Sequence, residues 1–165
     1  MSTALTIRLA TAADIPAMAA IRAAERGTQE YWEQRISGYL TGTHNPQQAL
    51  PERAAFVAEV TGAIAGFVAG HRTRPYQCDA ELEWINTAVL HRGQGIASAL
   101  LQPMSAWFVE QQAFRVCVNV APDNAPAVAF YRKHNAQPLN QYFMLWPDIR
   151  RLIPASGPGT SAANR

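Results

Sequence analysis

The sequence is poor in cysteine and in charge and has no long apolar run, and each shortage narrows the class of protein. Only two cysteines occur, Cys78 in a predicted loop and Cys117 in a predicted strand, and nothing resembling a secretory signal precedes Thr6. A reduced, cytoplasmic setting is therefore expected, with a buried structural role for Cys117 rather than a reactive one. No apolar run approaches the roughly 18 residues of a membrane-spanning helix, so we expect a soluble protein.

The sequence also has few charged residues and few histidines. Lys and Arg number 14 and Asp and Glu 12, which gives a formal net charge of +2. The basic residues are dispersed, so the charge does not favour a nucleic-acid-binding surface. The histidines show no metal-ligand spacing, and we predict no metal. They are His44, His71, His91 and His134.

The sequence does contain enough apolar residues for one folded domain. The chain has 165 residues, of which 48% are hydrophobic, and this fits a single domain with a sizeable core. We place that domain at residues 1–150. Residues 154–165 are rich in Gly, Pro, Ser and Ala, so we predict a disordered tail over residues 151–165.

One stretch in the middle of the chain organises the rest. Leu82 to Val89 is rich in apolar and β-favouring residues and predicts a buried strand. Gly93 and Gly95 then bracket a tight turn. After the turn, apolar residues at three- and four-residue spacing predict one face of a helix that runs to about Gln112. The stretch is therefore a strand, a glycine-bearing turn and a helix.

The remaining segments predict a mixed α/β order. They are a strand at 5–10, helices at about 14–27 and 29–39, a hairpin of 54–60 with 63–72, a strand at 115–120, a short helix ending near 134–135 and a last strand or strand pair at 137–146. Ile7 and Leu9 are expected on the core side of the first strand, and Pro103 is expected to kink its helix. Asn135 is a candidate left-handed cap. A doubly wound parallel fold would alternate strands and helices more strictly.

The predicted strand–turn–helix can bind an anion. The first turn of a helix leaves backbone N–H groups without partners and carries the positive end of the helix dipole. Gly93 and Gly95 would let a diphosphate approach the main chain, and Arg92 adds a positive charge. An ordinary turn that uses glycine for its backbone freedom explains the same two residues. The spacing matches neither a P-loop nor the dinucleotide fingerprint.

Two motifs in this order resemble the GCN5-related N-acetyltransferase superfamily. Residues 92–97, Arg-Gly-Gln-Gly-Ile-Ala, resemble its phosphate loop. Residues 119–136 are similar to a second element of the form Asn-x-x-Ala-x-x-Phe-Tyr, which precedes the end of a helix. The chain departs from the family pattern at Asn135, where Gly is usual, and at Ala136, where an aromatic residue is usual. The resemblance covers residues 6–146 and implies a mixed α/β fold with a mostly antiparallel sheet and flanking helices.

The resemblance implies acetyl-CoA as co-substrate. Its diphosphate is expected on the main-chain amides of residues 92–97, and its pantetheine arm in a cleft between the central strand and the strand at 115–120. The adenine end is expected near the second motif. The residues implied in cofactor binding are Asn86, Thr87, Val89, Arg92, Gly93, Gln94, Gly95, Ile96, Ala97, Ser98, Asn119, Asn124, Ala127, Phe130 and Tyr131.

Acetyl transfer to an amine requires a base, because an amine with a pKa near 10 is mostly protonated at neutral pH. Glu81 and Glu83 are the candidates, since they alternate along the predicted strand and should share a face. Two neighbouring carboxylates raise the pKa of one of them and attract a cationic amine. Both glutamates would equally suit the solvated start of a strand. The resemblance assigns Tyr131 as proton donor to the departing thiolate, and a core tyrosine is the alternative.

The acceptor is expected to be a primary amine on a small metabolite, an antibiotic-like compound or a protein N-terminus. The sequence leaves homodimer formation open. A non-catalytic acyl-CoA-binding or partner-binding module on the same fold is the alternative function. The aromatic residues that are candidates for acceptor contact are Tyr31, Trp32, Trp84, Tyr142 and Phe143, although each also suits a core position.

Overall fold

The computed structural model describes residues 4–43 and 48–154 of the chain. Within this part, seven strands form one sheet in the order β1-β2-β3-β4-β5-β7-β6. The strands are β1 Leu5–Leu9, β2 Arg53–Val60, β3 Ala63–Arg72, β4 Ala80–Thr87, β5 Val116–Asn119, β6 Gln137–Pro138 and β7 Phe143–Trp146. All neighbouring strands are antiparallel except β4 and β5. The prediction of a mixed α/β fold with a mostly antiparallel sheet is confirmed.

Four α-helices cover the two faces of the sheet. They are α1 Ile15–Ala23, α2 Gln29–Thr41, α3 Ile96–Glu110 and α4 Ala125–Lys133. The core on one face includes residues of α3 and Tyr131 of α4, whereas residues of α1 and α2 form the core on the other face with Phe67 and Trp84. None of the helices in the described ranges is long and apolar enough to cross a membrane.

Local sequence signals set most element boundaries. The Thr28 hydroxyl accepts a hydrogen bond from the Tyr31 N–H at 3.1 Å and so begins α2. Gly42, with φ 79°, ends the same helix in the left-handed region. Asn135 has φ 70°, which confirms the predicted left-handed cap after α4. Pro103 lies inside α3, and the helix continues past it to Glu110.

The hairpin prediction is confirmed, and one core prediction is wrong. β2 and β3 are joined by Thr61 and Gly62, both with positive φ, as expected of a two-residue turn. In β1, Ile7 packs against the core, but Leu9 is 60% exposed. β1 is an edge strand in which three of the five residues are exposed, so strand periodicity alone does not fix the burial of its last residue.

Two further predictions concern the cysteines and the tail. Cys117 is buried as expected, and Cys78 is also buried, although it lies in the loop before β4. Both are free thiols that pack in one cluster, and the Cys78 thiol donates to the Tyr76 carbonyl at 3.8 Å. The neighbouring Cys78 thiol, together with burial, raises the pKa of the Cys117 thiol. The predicted tail starts too early, because residues 151 and 152 lie in a short 3₁₀ helix, Ile149–Leu152, whose Leu152 is buried in the core. Residues 155–165 lie outside the described residues.

β4 and β5 pair over only part of their length, and this creates the gap in which the site lies. The parallel register joins Ala80 to Val116 and ends where Leu82 pairs with Val118. β4 continues to Thr87, whereas β5 ends at Asn119. The edge of β4 beyond Leu82 therefore has no partner strand on the β5 side among the described residues.

Candidate active site

The turn between β4 and α3 presents main-chain N–H groups to open space. Gly93 and Gly95 have φ values of 76° and 80°, a region that L side chains rarely adopt, and a Cβ added to either would meet no described atom within 4 Å. The first helical N–H to reach a carbonyl oxygen is that of Ala99, which donates to Gly95 at 3.0 Å. The amides of residues 96–98 are therefore open to an anion in the described structure.

Two side chains beside this turn already have partners within the protein. Arg92 is exposed, as expected for a positive group at the rim, and its guanidinium lies 3.4 Å from the Glu25 carboxylate. The Ser98 hydroxyl lies 2.9 Å from His134 Nε2. Burial lowers the pKa of His134, and Lys133 adds to the effect, so the imidazole is neutral at neutral pH. The hydrogen bond thus joins the start of α3 to the end of α4.

Asn86, on β4, uses its side chain to bind α1 and the residues just after it. Its Oδ1 accepts from Arg22 Nη1 at 3.2 Å, and its Nδ2 donates to Glu25 Oε1 at 3.3 Å. The Asn86 side chain is therefore used within the protein. Thr87 is the last residue of β4, and Val89, which was predicted to end the strand, is 57% exposed in a short 3₁₀ turn.

The two asparagines of the second motif also have partners in the protein. Asn119 Nδ2 donates to the Tyr142 carbonyl at 3.1 Å. Asn124 begins α4, since its Oδ1 accepts from the Ala127 N–H at 3.3 Å. The Phe130 ring is half-buried and lies 4.7 Å from the His134 ring, centroid to centroid. These contacts give each motif residue a structural role beside the predicted cofactor role.

Tyr131 carries a hydroxyl that is free to donate a proton. The residue is 7% exposed, and its ring packs edge-on against Trp146 at 5.7 Å. No described residue hydrogen-bonds its hydroxyl. Burial raises the pKa of Tyr131 to about 12, an effect that Arg22 opposes and Glu25 reinforces. The phenol is therefore protonated at neutral pH.

A bulge in β4 determines where Glu81 and Glu83 lie. Gly70 pairs with Leu82 and Ala69 with Trp84, so Glu83 is an extra residue on β4. Both glutamates approach His71, which confirms that they share a face. Burial raises the pKa of Glu83, the Glu81 charge raises it further, and the neighbouring His71, Arg35 and Arg22 lower it.

His71 is the residue of this cluster that sequence reasoning missed. It lies on β3 opposite Glu81, is fully buried, and its Nδ1 lies 2.9 Å from the Tyr39 hydroxyl. One ligand atom from each of His71, Glu81 and Glu83 lies within 4.8 Å of the others. The available signal was the register of the β3–β4 pair, which places position 71 opposite position 81. That register is not readable from the spacing of histidines along the chain.

The aromatic candidates for acceptor contact divide into two groups. Trp32 and Trp84 are 6% and 8% exposed and pack edge-on at 6.1 Å within the α1–α2 core. Tyr31 and Tyr142 are more than half exposed. Phe143 is partly buried against Tyr76. The exposed tyrosines are therefore better placed to meet a ligand than the tryptophans.

Comparison with known proteins agrees with this geometry. The profile described as the Acetyltransferase (GNAT) family matches residues 24–136, so the chain belongs to this family. Acyl transfer from acetyl-CoA is the general reaction of the family. A search of curated protein sequences gives no significant match.

Solved structures share the fold at low sequence identity. An acetyltransferase from Thermus thermophilus is 18% identical, with a TM-score of 0.70 over 89% of this chain and 99% of that one. A ribosomal-protein-alanine N-acetyltransferase from Brucella melitensis is 22% identical, with a TM-score of 0.64 over 86% and 99%. The PaiA N-acetyltransferase from Thermoplasma acidophilum, solved with coenzyme A, is 14% identical, with a TM-score of 0.62 over 86% and 97%.

Proposed function

We propose that this chain transfers an acetyl group from acetyl-CoA to a primary amine by direct attack. The observation that carries the proposal is the gap between β4 and β5 beside the open amides that begin α3. An anion-binding helix start next to an unpaired strand edge suits a ligand with a diphosphate at one end and an amide-containing arm at the other. A cytoplasmic location is part of the same proposal.

The residues that would hold acetyl-CoA fit it chemically. The open amides from residue 93 to residue 98 would bind the diphosphate, since the Arg92 N–H already donates to the Val89 carbonyl at 3.4 Å. The main chain near Asn86 and Thr87 would pair with the amides of the arm. Asn119, Asn124, Ala127 and Phe130 border the gap from β5 and α4. When bound, acetyl-CoA supplies an activated thioester.

The protein groups then divide the proton transfers. Glu83 or Glu81, directly or through a water, accepts a proton from the acceptor ammonium so that a neutral amine can attack. Main-chain N–H groups near Thr87 stabilise negative charge on the carbonyl oxygen. The Tyr131 hydroxyl donates its proton to the departing thiolate, and its lack of a hydrogen-bond partner among the described residues supports this role.

The acceptor is proposed to be a cationic primary amine, because two carboxylates border the site and the exposed tyrosines offer a flat apolar surface. The Brucella relative is described as acting on a ribosomal-protein alanine, so a protein N-terminus belongs in the set of acceptors to test. Small polyamines and antibiotic-like amines complete it.

The test is release of free thiol from acetyl-CoA with a panel of these amines. We expect release with at least one amine, and slower release with Glu81→Gln and with Glu83→Gln. Calorimetry should show that both variants bind coenzyme A as the parent protein does. Tight coenzyme A binding without thiol release for every amine would favour the non-catalytic module instead.

A further inference from the structure

The imidazole of His71 lies between two carboxylates and has no exposed surface. Glu81 Oε2 is 3.4 Å from Nε2, and Glu83 Oε2 is 3.9 Å from Nδ1. The Tyr39 hydroxyl, from α2, lies 2.9 Å from Nδ1. His71 Nε2 is buried and makes no hydrogen bond in the described structure. The acidic group beside this nitrogen is the Glu81 carboxylate. A fully buried histidine between two acids needs a reason beyond filling space.

One ligand atom from each of the three residues lies within 4.8 Å of the others, but the individual contacts suit proton transfer better than a shared cation. The two glutamates approach different nitrogens of the same ring, and a single cation can bind only one of them. The other nitrogen is already within hydrogen-bonding distance of Tyr39. Glu83 also has a cationic neighbour, since Arg35 Nη2 lies 3.6 Å from Oε1. The geometry instead suits a group that carries a proton between two carboxylates.

We infer that His71 is a positioning residue that couples Glu81 and Glu83 into one proton-sharing unit for the acceptor amine. This inference rests on the proposed function. In the step concerned, an N–H bond of the ammonium breaks and a carboxylic O–H bond forms on one glutamate. His71 then accepts that proton at the nitrogen facing this glutamate and releases the N–H proton of its other nitrogen to the second glutamate, so no oxidant or reductant is involved.

The unit has a defined electrostatic setting. Glu81 and His71 face Glu83 from the sheet, Arg35 from α2 and Arg22 from α1, while the Tyr39 hydroxyl faces the imidazole. His71 lowers the pKa of Glu83, and Glu81 raises it. Removing His71 and removing Glu81 should therefore shift the titration of Glu83 in opposite directions.

The pH dependence of kcat, with one amine throughout, tests the inference. We expect His71→Gln to move the acidic limb of the profile to higher pH and to lower kcat at neutral pH about tenfold, less than the 100-fold or more lost with a directly acting acid or base, because His71 acts through the glutamates. Glu81→Gln should move the limb to lower pH. The KM for acetyl-CoA should stay within about twofold in both variants, because neither residue faces the helix-start amides.

Three controls separate coupling from a merely structural effect. Ile149→Val shortens a fully buried side chain outside the cluster, and it should lower stability while leaving the limb in place. Tyr39→Phe removes only the hydroxyl beside Nδ1 and should shift the limb in the direction of His71→Gln even if His71→Gln does not fold. A chelator should leave the parent rate unchanged. An unshifted limb in both variants, or loss of activity with the chelator, would overturn the inference.

A measurement on the free protein keeps the inference testable if no amine is a substrate. Nitrogen-15 spectra of the imidazole should change for both ring nitrogens in Glu81→Gln and in Glu83→Gln. Ring-nitrogen signals that stay unchanged in both variants would refute the coupling, whether or not the protein is active. If both ring-nitrogen signals change in each variant but no amine is acetylated, the coupling stands and only the proposed function is contradicted.

Discussion

The two ends of β4 differ in what they are built to do. Up to Leu82 the strand is paired on both edges, with β3 and with β5, and the helix α3 packs over it. Beyond Leu82, β3 is its only partner among the described strands, and one edge faces the gap. The closed end, up to Leu82, is held by main-chain ladders and apolar contacts, whereas the open end, beyond Leu82, has one strand edge without a partner among the described residues. Stability and ligand binding are thus separated along one strand.

The largest expected effect comes from the core of the closed end. Phe108 is fully buried on α3, and its ring lies so close to Gly70 that an added Cβ would meet it at 2.6 Å. We expect Phe108→Ala to lower the free energy of unfolding by about 3–5 kcal/mol. Phe130→Ala, at a half-buried position beside the gap, should cost less than half as much. Urea denaturation of both variants tests this, and equal losses would contradict a division between the two ends.

Removing the Tyr131 hydroxyl should break catalysis at the open end without affecting the closed end. We expect Tyr131→Phe to lower kcat about 100-fold, since a positioned acid typically contributes that much or more. The melting temperature and the affinity for coenzyme A should hardly change, because no described residue depends on this hydroxyl. Full turnover in the variant would remove Tyr131 from the mechanism.

A Cβ at the helix start should weaken cofactor binding specifically. Gly95→Ala puts a methyl group where an anion would approach, and we expect about a tenfold loss of coenzyme A affinity by calorimetry. Gly62→Ala is the matched control, because Gly62 has the same φ of 80° and equally open surroundings but lies in the β2–β3 turn. Both variants should lose about 1 kcal/mol of stability from the left-handed strain. Equal affinity in the two variants would count against binding at the helix start.

The smallest effect concerns acid stability at the edge of the sheet, away from both ends of β4. Hydrogen bonds from the Arg8 guanidinium lower the pKa of Asp14 to about 2, against an ordinary value near 4. The ion pair is thus stabilising above about pH 4, and its contribution is lost as the pH falls from about 4 to 2.

Asp14→Asn should cost about 1 kcal/mol at pH 7, since Arg8 is partly exposed and water screens the pair. The difference from the parent protein should shrink to near zero at pH 2. Denaturation curves at both pH values measure it, and a constant difference would refute the assignment.

Several local features of the fold could be predicted from particular residues. Thr61 and Gly62 predicted the hairpin, Gly93 and Gly95 predicted the open helix start, and Asn135 predicted a left-handed cap. Each of these is a local backbone requirement, so the residue type at one position carries the information. The shared face of Glu81 and Glu83 was also predictable, because strand side chains alternate.

Other features required contacts between distant segments. The burial of Trp32 and Trp84 depends on how α2 packs on β4, and the exposure of Leu9 depends on β1 lying at an edge. No nearby residue indicates that the Asn86 side chain hydrogen-bonds Arg22 and Glu25, because those partners lie more than sixty positions away in the chain.

The sequence by itself determined most of the elements, the family and the glycine-bearing turn, since these depend on periodicity, on glycine at fixed positions and on two short motifs. Only the tertiary structure decided where β5 stops pairing with β4 and that His71 lies between two glutamates. The physical reason is that both depend on register across strands. Register is fixed by the packing of the whole sheet and not by any one segment.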